Sequence, residues 1–430
     1  MMEMCGWYIS KMSQKVKIGG VWKDAGPYVK ISGSWKVPES IFNKVGGVWK
    51  QSFLKGGKID TTFTSPSVSY AAIKTLSIQS DGKIIIGGDF TSLSGVALNR
   101  IARLNSDGTL DTAFNTTTGS GLNDPAQSII IQPDGKYLVS GGFISYNGTT
   151  VNRLIRLNSN GTLDTTFSSN QGTGFGGGGI GMAASYIAIQ PDGKIVVSGG
   201  FTLFNGTTAN RLVRLNSNGT LDTTFATNIG TGLNSFGGPI AIQTDGKIIV
   251  GGSFTTFNGT TANRIVRLNS SGTLDTAFGS GLDVGGPNGI AIQTDGKIII
   301  TGNFTGFNGT AINRVVRLNS NGTIDTTFAA NIGTGANAYA MTPTLQSDGK
   351  IVVTGNFTTF NGAAINRIVR INSDGTRDTA FSTNSGTGFS AVTYDSKIDS
   401  VGKIIIVGDF VTFNGTTVNR ITRVGGDFAG

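Results

Sequence analysis

Aspartate is the main residue type in this chain that could take part in acid–base chemistry, because glutamate occurs only twice and histidine is absent. Without histidine, a Ser-His-Asp triad and a His-based zinc site are both excluded, and the single cysteine, Cys5, cannot replace either. Paired carboxylates could still hydrolyse a glycoside. Most aspartates, however, recur at fixed positions of a repeat, which leaves four irregular candidates: Asp124, Asp283, Asp395 and Asp399. We therefore predict that the chain is not an enzyme.

A bound metal or cofactor is not expected either. The segment 105–111 resembles an oxygen-rich calcium loop in which Asp107 would be a ligand. Other copies of the segment replace this aspartate by neutral residues, namely Asn160, Asn218, Ser271 and Asn321. A hairpin turn explains the segment better, and we predict no metal and no cofactor.

The arginines follow a repeated Asn-Arg-x-x-Arg element, which contains 14 of the 15 arginines. One interpretation is a basic ring that binds phosphate or nucleic acid. The other is a set of structural ion pairs with the aspartate of a repeated Asp-Thr-x-Phe element. Residues 59–430 hold 24 basic and 22 acidic side chains, and this near balance favours structural pairs and no nucleic acid. The predicted pairs involve Arg100, Arg153, Arg211, Arg264, Arg314, Arg367 and Arg420 with Asp60, Asp111, Asp164, Asp222, Asp275, Asp325 and Asp378.

Three sequence markers recur seven times, at intervals of 50 to 58 residues for the first of them. They are Asp-Gly-Lys (once degenerate, as Val401-Gly402-Lys403), Asn-Arg and Asp-Thr-x-Phe. Each repeat predicts four short strands, and the second strand, such as 84–88, has the β-branched run of a strand buried on both faces. We expect a fourth strand over 273–278 in one repeat, and positive φ at both residues of each Asp-Gly turn. The sequence thus predicts an all-β fold, a seven-bladed β-propeller of four-stranded antiparallel blades.

The two ends of the repeat region are complementary. The first element, 59–63, is a fourth strand with nothing before it, and the last repeat stops near Val424 after its third strand. The N-terminal strand should therefore complete the last blade and close the ring, which removes the exposed edges. A right-handed β-solenoid, the rival fold, would not need complementary ends. The predicted domains are a docking module, residues 1–56, and the propeller, residues 57–430.

The repeat unit, IQxDGKIxxxGxFTxFNGTxxNRxxRLNSxGTLDTxF, resembles the delta-60-repeat family of β-propellers over roughly residues 59–424. This resemblance implies the fold. It implies almost nothing about a ligand, because that family occurs in varied bacterial and phage proteins.

A basic segment with a smaller repeat precedes the propeller. Residues 1–58 hold ten lysines and three acidic residues, and the copies that begin at Val16, Val29 and Lys44 each suggest a very short hairpin that ends in Trp-Lys. The residues expected to dock this segment are Trp22, Trp35, Trp49, Lys23, Lys36 and Lys50. The segment is similar to Gly-Gly-x-Trp-Lys segments of tailed-bacteriophage tail and baseplate proteins. That likeness implies a protein anchored by its N-terminus to other virion proteins.

Aromatic residues in the connections after the second and fourth strands could contact a ligand, because these connections share one rim. The repeated aromatics, Tyr146, Phe204, Phe257, Phe307, Phe360 and Phe413, are expected to fill the blades. The candidates for ligand binding are the non-repeated Phe175, Tyr186, Phe236, Tyr339, Phe389 and Tyr394.

We predict a bacteriophage virion protein of the tail tip, baseplate or fibre, whose propeller binds a host-surface glycan or another protein. A purely structural protein that decorates the capsid or tail is one alternative, and a bacterial surface adhesin is another. The first residues lack a signal peptide, which weakens the adhesin. No apolar run is long enough to span a membrane, so we expect no membrane insertion.

Overall fold

The computed structural model describes residues 54–69, 71–177, 184–279 and 281–427, and before them the backbone of six short strands. These strands form three antiparallel hairpins, as the N-terminal repeat predicts: β1 (Lys15–Ile18) with β2 (Val21–Asp24), β3 (Val29–Ile31) with β4 (Ser34–Lys36), and β5 (Ser40–Val45) with β6 (Val48–Leu54). In each hairpin a tryptophan is the register partner of a lysine: Trp22 of Lys17, Trp35 of Lys30, and Trp49 of Lys44. The docking role predicted for Trp22, Trp35, Trp49, Lys23, Lys36 and Lys50 concerns side chains that lie outside the described residues.

The remaining strands form seven successive antiparallel sheets, each of which is one blade. The strands of blades 1 to 4 are β7 (Ile73–Ile78), β8 (Ile84–Gly88), β9 (Ser92–Leu93), β10 (Val96–Ala97) and β11 (Ile101–Leu104); β12 (Ala126–Ile131), β13 (Tyr137–Gly141), β14 (Ser145–Tyr146), β15 (Thr149–Thr150) and β16 (Leu154–Leu157); β17 (Phe175–Gly176), β18 (Tyr186–Ile189), β19 (Ile195–Ser198), β20 (Leu203–Phe204), β21 (Thr207–Thr208) and β22 (Leu212–Leu215); and β23 (Gly237–Ile242), β24 (Ile248–Gly252), β25 (Thr256–Phe257), β26 (Thr260–Thr261) and β27 (Ile265–Leu268). Those of blades 5 to 7 are β28 (Pro287–Ile292), β29 (Ile298–Gly302), β30 (Gly306–Phe307), β31 (Thr310–Ala311) and β32 (Val315–Leu318); β33 (Ala340–Leu345), β34 (Ile351–Gly355), β35 (Thr359–Phe360), β36 (Ala363–Ala364) and β37 (Ile368–Ile371); and β38 (Thr393–Ile398), β39 (Ile404–Gly408), β40 (Thr412–Phe413), β41 (Thr416–Thr417) and β42 (Ile421–Val424). In every blade three longer strands are hydrogen-bonded in chain order, and a small hairpin separates the second from the third.

The second strand of each blade is the centre of the hydrophobic core. Its side chains are buried on both faces, as in β8, where Ile84, Ile85 and Ile86 have no solvent exposure. The described residues form seven core clusters, and one of them packs Leu138 of blade 2 against Ile195 of blade 3. Since no blade can bury both of its faces alone, this packing requires the blades to stack on one another.

The ring is closed, as predicted. The first strands contact one another in order, from β7 through β12, β18, β23, β28 and β33 to β38, and β38 in turn contacts β7. Ile59 pairs antiparallel with Val424, and the N–H of Asp60 donates to the carbonyl of Arg423 at 2.8 Å. We call residues 59–63 the clasp, because they complete blade 7 from the opposite end of the chain.

The fourth strand of each blade is shorter than the sequence predicts. In one repeat the expected strand over 273–278 is reduced to a single bridge, between Leu268 and Leu274. The reason is the aspartate that follows, since aspartate prefers a helix N-cap to a strand interior. Asp111, for example, accepts a hydrogen bond from the N–H of Phe114. Five repeats continue from this cap into a short helix: α1 (Thr112–Thr117), α2 (Thr165–Asn170), α3 (Thr223–Ile229), α4 (Thr326–Ile332) and α5 (Thr379–Ser385).

The Asp-Gly turns also differ from the expectation, because only their glycine has a positive φ. Gly82 has a φ of 83°, and its N–H donates to the carbonyl of Gln79, which gives a longer hairpin loop. Two consecutive positive φ values occur in the small hairpins instead, at Asn147 (46°) and Gly148 (76°). This Asn-Gly pair therefore forms the type I′ turn.

The propeller has two different faces. The turn face carries the Asp-Gly-Lys turns and the turns between the third strand and the fourth element, such as 79–83 and 105–109. The loop face, at the opposite ends of the strands, carries the small hairpins and the connections to the next blade, such as 92–97 and 118–125. None of the helices in the described part of the chain is long and apolar enough to cross a membrane.

The link between the N-terminal hairpins and the propeller lies on the turn face. Gly56 pairs with Gly425, just beyond the end of β42, and the N–H of Gly57 donates to the carbonyl of Gly425 at 2.9 Å. The side-chain amide of Asn384 in α5 donates to the carbonyl of Gly56 at 2.8 Å. The chain therefore enters the ring at the turn-face edge of blades 6 and 7.

Candidate functional site on the two faces of the propeller

Each blade repeats one buried ionic cluster on its turn face. In blade 1, the carboxylate of Asp111 lies 2.9 Å from Nζ of Lys83 and 2.8 Å from a terminal nitrogen of Arg103. The guanidinium carbon of Arg103 lies 4.3 Å from the centre of the Phe114 ring, in cation–π contact. Arg103 also donates to the carbonyl of Ser159 in blade 2, at 2.7 Å. The cluster therefore holds the outer edge of one blade and joins it to the next.

The ion pairs use the second arginine of Asn-Arg-x-x-Arg, so our assignment of the first arginine is wrong. The arginines that pair with the predicted aspartates are Arg103, Arg156, Arg214, Arg267, Arg317, Arg370 and Arg423. The first arginines, Arg100, Arg153, Arg211, Arg264, Arg314, Arg367 and Arg420, each donate instead to a backbone carbonyl. Three residues of extended strand separate the two positions by about 10 Å, which leaves the first arginine on the loop face.

The clusters shift the acidity of their carboxyl groups. Burial raises the pKa of these aspartates, but hydrogen bonds and the positive charges of lysine and arginine outweigh it. The pKa of each therefore lies below its usual value, at Asp60, Asp111, Asp164, Asp222, Asp275, Asp325 and Asp378. The folded state thus favours the ionised form of seven carboxyl groups.

We expect the propeller to lose stability steeply in acid. A carboxyl group whose pKa is lower in the folded state stabilises that state above its unfolded pKa, about 3.9, and this contribution is lost as the pH falls further. Thermal melting followed by circular dichroism should give a nearly constant midpoint between about pH 7 and pH 5, and a steep fall below about pH 4. A midpoint that stays constant down to about pH 2.5 would show that the clusters add no net stability.

Blade 7 departs from this pattern by one additional carboxyl group. Asp399 occupies the position of a repeated glutamine, and burial raises its pKa. One of its oxygens lies 3.6 Å from Arg423, which also binds Asp60 of the clasp at 2.7 Å. The raised pKa of Asp399 has the opposite effect on stability from the lowered ones. Protonation of Asp399 favours the folded state as the pH falls through that pKa. One such group does not offset the seven lowered ones.

Two of the predicted ligand contacts are core residues, so the prediction is wrong for them. Phe175 and Phe389 are each 1% exposed. The ring centre of Phe175 lies 4.7 Å from that of Phe201, and the ring centre of Phe389 lies 4.3 Å from that of Phe410. The reason is that each pairs across to a small hairpin, at a position where other repeats have an apolar residue such as Leu122. The repeated aromatics are buried as predicted, at Tyr146, Phe204, Phe257, Phe307, Phe360 and Phe413.

The other four predicted contacts are half-buried and lie near the axis. Tyr186 begins β18, Tyr394 lies in β38, and Phe236 and Tyr339 directly precede β23 and β33. First strands line the centre of the ring, and these four residues lie at or near the loop-face ends of such strands. Burial raises the pKa of Tyr186. They form two pairs on adjacent blades: Tyr186 and Phe236 on blades 3 and 4, and Tyr339 and Tyr394 on blades 6 and 7.

Two acidic residues that sequence reasoning missed, Asp89 and Asp409, act electrostatically on Tyr394. Burial raises the pKa of Tyr394, and the negative charges of Asp409 and Asp89 raise it further, as does Tyr339. Asp89 also lies 2.7 Å from Nζ of Lys74. Both aspartates directly follow a second strand, where the other five blades have glycine, serine or asparagine. That departure from the repeat was the available signal in the sequence.

The irregular aspartates Asp283 and Asp395 bind neighbouring groups of the fold. Asp395 is buried at the seam of blades 7 and 1, where it accepts from the N–H of Leu76 and lies 2.7 Å from Nζ of Lys397. Asp283 accepts from the N–H of Gly309 at 3.0 Å. No three acidic, histidine or cysteine side chains within the described ranges are arranged to hold a metal ion. The described contacts of these aspartates are thus structural.

A known family model matches this chain in every blade. It is described as a domain of unknown function (DUF5122) β-propeller, and it matches residues 79–114, 132–167, 190–225, 243–278, 293–328, 346–381 and 402–427. The matched segments together cover more than half of the chain, and their number equals the number of blades. The chain belongs to the DUF5122 β-propeller family. The search of curated proteins gives no match for this DUF5122 propeller.

Solved structures with a similar fold include three bacterial proteins. The extracellular domain of BT4673 from B. thetaiotaomicron is 13% identical with a TM-score of 0.46, over 84% of this chain and 40% of that one. PorZ, from Porphyromonas gingivalis, is 12% identical with a TM-score of 0.46, over 82% and 46%. Virginiamycin B lyase from Staphylococcus aureus is 15% identical with a TM-score of 0.45, over 84% and 97%. This chain thus spans less than half the length of the first two, and the likeness concerns the fold alone.

Proposed function

We propose that this DUF5122 propeller is a non-catalytic attachment protein, which is anchored through its N-terminal hairpins and presents its loop face to a glycan on a cell surface. The observation that carries the proposal is the position of the linker. Gly56 and Gly57 join the ring on the turn face, so the loop face stays free when the N-terminal segment is held. In this proposal the turn face is the side of attachment, and the loop face, on the opposite side of the ring, is the side of recognition.

The proposed setting is a bacteriophage virion, as part of a tail tip, baseplate or fibre. The support for this setting is the N-terminal repeat, whose triple Gly-Gly/Ser-Gly hairpins resemble segments of tail proteins. Ten lysines before residue 59 give that segment a strong positive charge suited to acidic neighbouring virion proteins. Many copies on one particle would raise the avidity of a weak single site.

The glycan is assigned to the sector around Tyr339 and Tyr394. Tyrosine offers an aromatic face that packs on a sugar ring together with a hydroxyl for hydrogen bonding. Asp89 and Asp409, at the loop-face ends of the second strands of blades 1 and 7, offer acceptors for sugar hydroxyl groups. The half-burial of both tyrosines reduces the entropy lost when a ligand orders them.

A glycan array probed with the full chain tests the proposal. We expect retention of bacterial surface polysaccharides, and a loss of about tenfold or more in affinity in Tyr339→Ala and in Tyr394→Ala. Val401→Ala is the matched control, because Val401 is an exposed apolar residue on the turn face and should leave binding unchanged. Melting curves would establish that each variant is folded. An array without any retained glycan would contradict recognition and favour a purely structural role.

A further inference from the structure

The first arginine of every repeat has an unfavourable backbone conformation. Its φ lies between 65° and 68° in all seven copies, the left-handed region that normally selects glycine or asparagine. Glycine would relieve this strain at each position. The repeated choice of arginine therefore indicates that the side chain is needed there.

The charge of these arginines is not neutralised by the contacts that hold them. One terminal nitrogen donates to a backbone carbonyl at 2.6 to 3.2 Å in each blade. A carbonyl satisfies one donor but does not compensate a positive charge. In five of the seven, Arg100, Arg153, Arg314, Arg367 and Arg420, Nε is moreover buried without a hydrogen-bond partner. Partly buried cations of this kind gain most from a bound anion.

The blades themselves show where an anion is missing. The same backbone pairing in each blade places the arginine opposite the residue that follows the second strand, as Arg420 lies opposite Asp409. In blade 7 this aspartate lies 3.8 Å from Arg420, whereas in blade 1 the equivalent residue, Asp89, pairs with Lys74. Blades 2 to 6 have neutral residues there instead: Gly142, Gly200, Ser253, Asn303 and Asn356.

We infer that the five arginines of blades 2 to 6 bind the acidic groups of an anionic glycan. These residues, which we call the arginine arc, are Arg153, Arg211, Arg264, Arg314 and Arg367, and none of them forms an ion pair within the residues that the structure describes. This inference rests on the proposed function and names the ligand class of the loop face. The carboxylate that blade 7 supplies to its own arginine would come from the ligand in blades 2 to 6.

A glycan suits this surface better than a nucleic acid does. The five arginines of the arc are half-buried, whereas phosphate-backbone recognition relies on side chains that reach outward. Around them the loop face carries exposed threonines on β15, β21 and β26, whose hydroxyl groups can bond to sugar hydroxyls. On the turn face the second arginine of each repeat is already paired with aspartate.

Two isosteric substitutions test the arginine arc without touching an arginine. Asn303→Asp and Asn356→Asp together give blades 5 and 6 the aspartate that blades 7 and 1 have naturally. The matched control is the pair Asn160→Asp and Asn321→Asp. It adds the same two charges on the turn face, where other repeats have Asp107 and Asp374.

Binding of the full chain should be measured on immobilised polygalacturonate, dextran sulfate, uncharged dextran and duplex DNA. We expect the chain to bind one or both anionic polysaccharides, and high salt to weaken this binding. The polysaccharide that is bound more tightly shows whether carboxylate or sulfate groups are preferred.

The Asn303/Asn356 variant should bind these polysaccharides about tenfold or more weakly than wild type, and the control variant within about twofold of wild type. Equal losses in both variants, or DNA binding as tight as polysaccharide binding, would overturn the inference. Equal binding to uncharged dextran would overturn the anionic assignment but leave the proposed function intact, whereas the absence of binding to every polysaccharide would contradict both.

Discussion

Replacing Asp60 with asparagine should destabilise the propeller by about 3–5 kcal/mol, the cost of leaving buried charges without their partner. The Asp60 side chain has no solvent exposure and lies 2.8 Å from Nζ of Lys403 and 2.7 Å from Nε of Arg423. Those two cations are 8% and 11% exposed, so water cannot replace the lost carboxylate. Because Asp60 belongs to the clasp, the substitution also weakens blade 7, which is assembled from both ends of the chain.

Asp111→Asn is the matched control for this prediction. Asp111 makes the same two contacts, but its lysine partner, Lys83, is 34% exposed and remains solvated. We expect a smaller loss, about 1–3 kcal/mol, the usual cost of an unsatisfied buried partner. Denaturant unfolding followed by far-ultraviolet circular dichroism would compare the free energies of unfolding of the two variants and wild type. Equal losses at both positions would mean that the clasp contributes no more than an ordinary blade.

The sequence predicts the propeller well because its repeat constrains the fold several times over. Six of the seven second strands are runs of β-branched residues, such as β8 and β39, which favour burial between neighbouring sheets. The complementary ends, at Ile59 and Val424, similarly predict the closed ring. Both expectations depend on hydrophobic burial and on backbone pairing, which are properties that local sequence specifies directly.

The sequence predicts the ion pairs and the site less well, because these depend on which strand end a residue reaches. Two arginines three residues apart, such as Arg100 and Arg103, look equivalent in the sequence but lie on different faces of the blade. Phe175 and Phe389 likewise read as loop residues, although each pairs with a hairpin and is buried. The face on which such an arginine lies, and the burial of such a phenylalanine, depend on how neighbouring segments pack. The sequence of a single repeat does not specify this packing.

Residues 59–63 are expected to decide whether the ring can form at all. They provide the bridge to Val424, the carboxylate of Asp60, and the Phe63 ring, whose centre lies 5.0 Å from the guanidinium carbon of Arg423. Without them β42 becomes an open edge strand, which promotes pairing between chains. The N-terminal hairpins make no such contribution in our account, because the clasp begins after them.

Size-exclusion chromatography and thermal melting of two truncated chains test this account most directly. A chain of residues 54–430 retains the linker and the clasp, and it should be monomeric in solution with the melting temperature of the intact propeller. A chain of residues 64–430 lacks the clasp, and it should aggregate or melt far below the longer one, by more than about 10 °C. Equal melting temperatures and equal elution of the two chains would contradict a ring closed by its N-terminal strand.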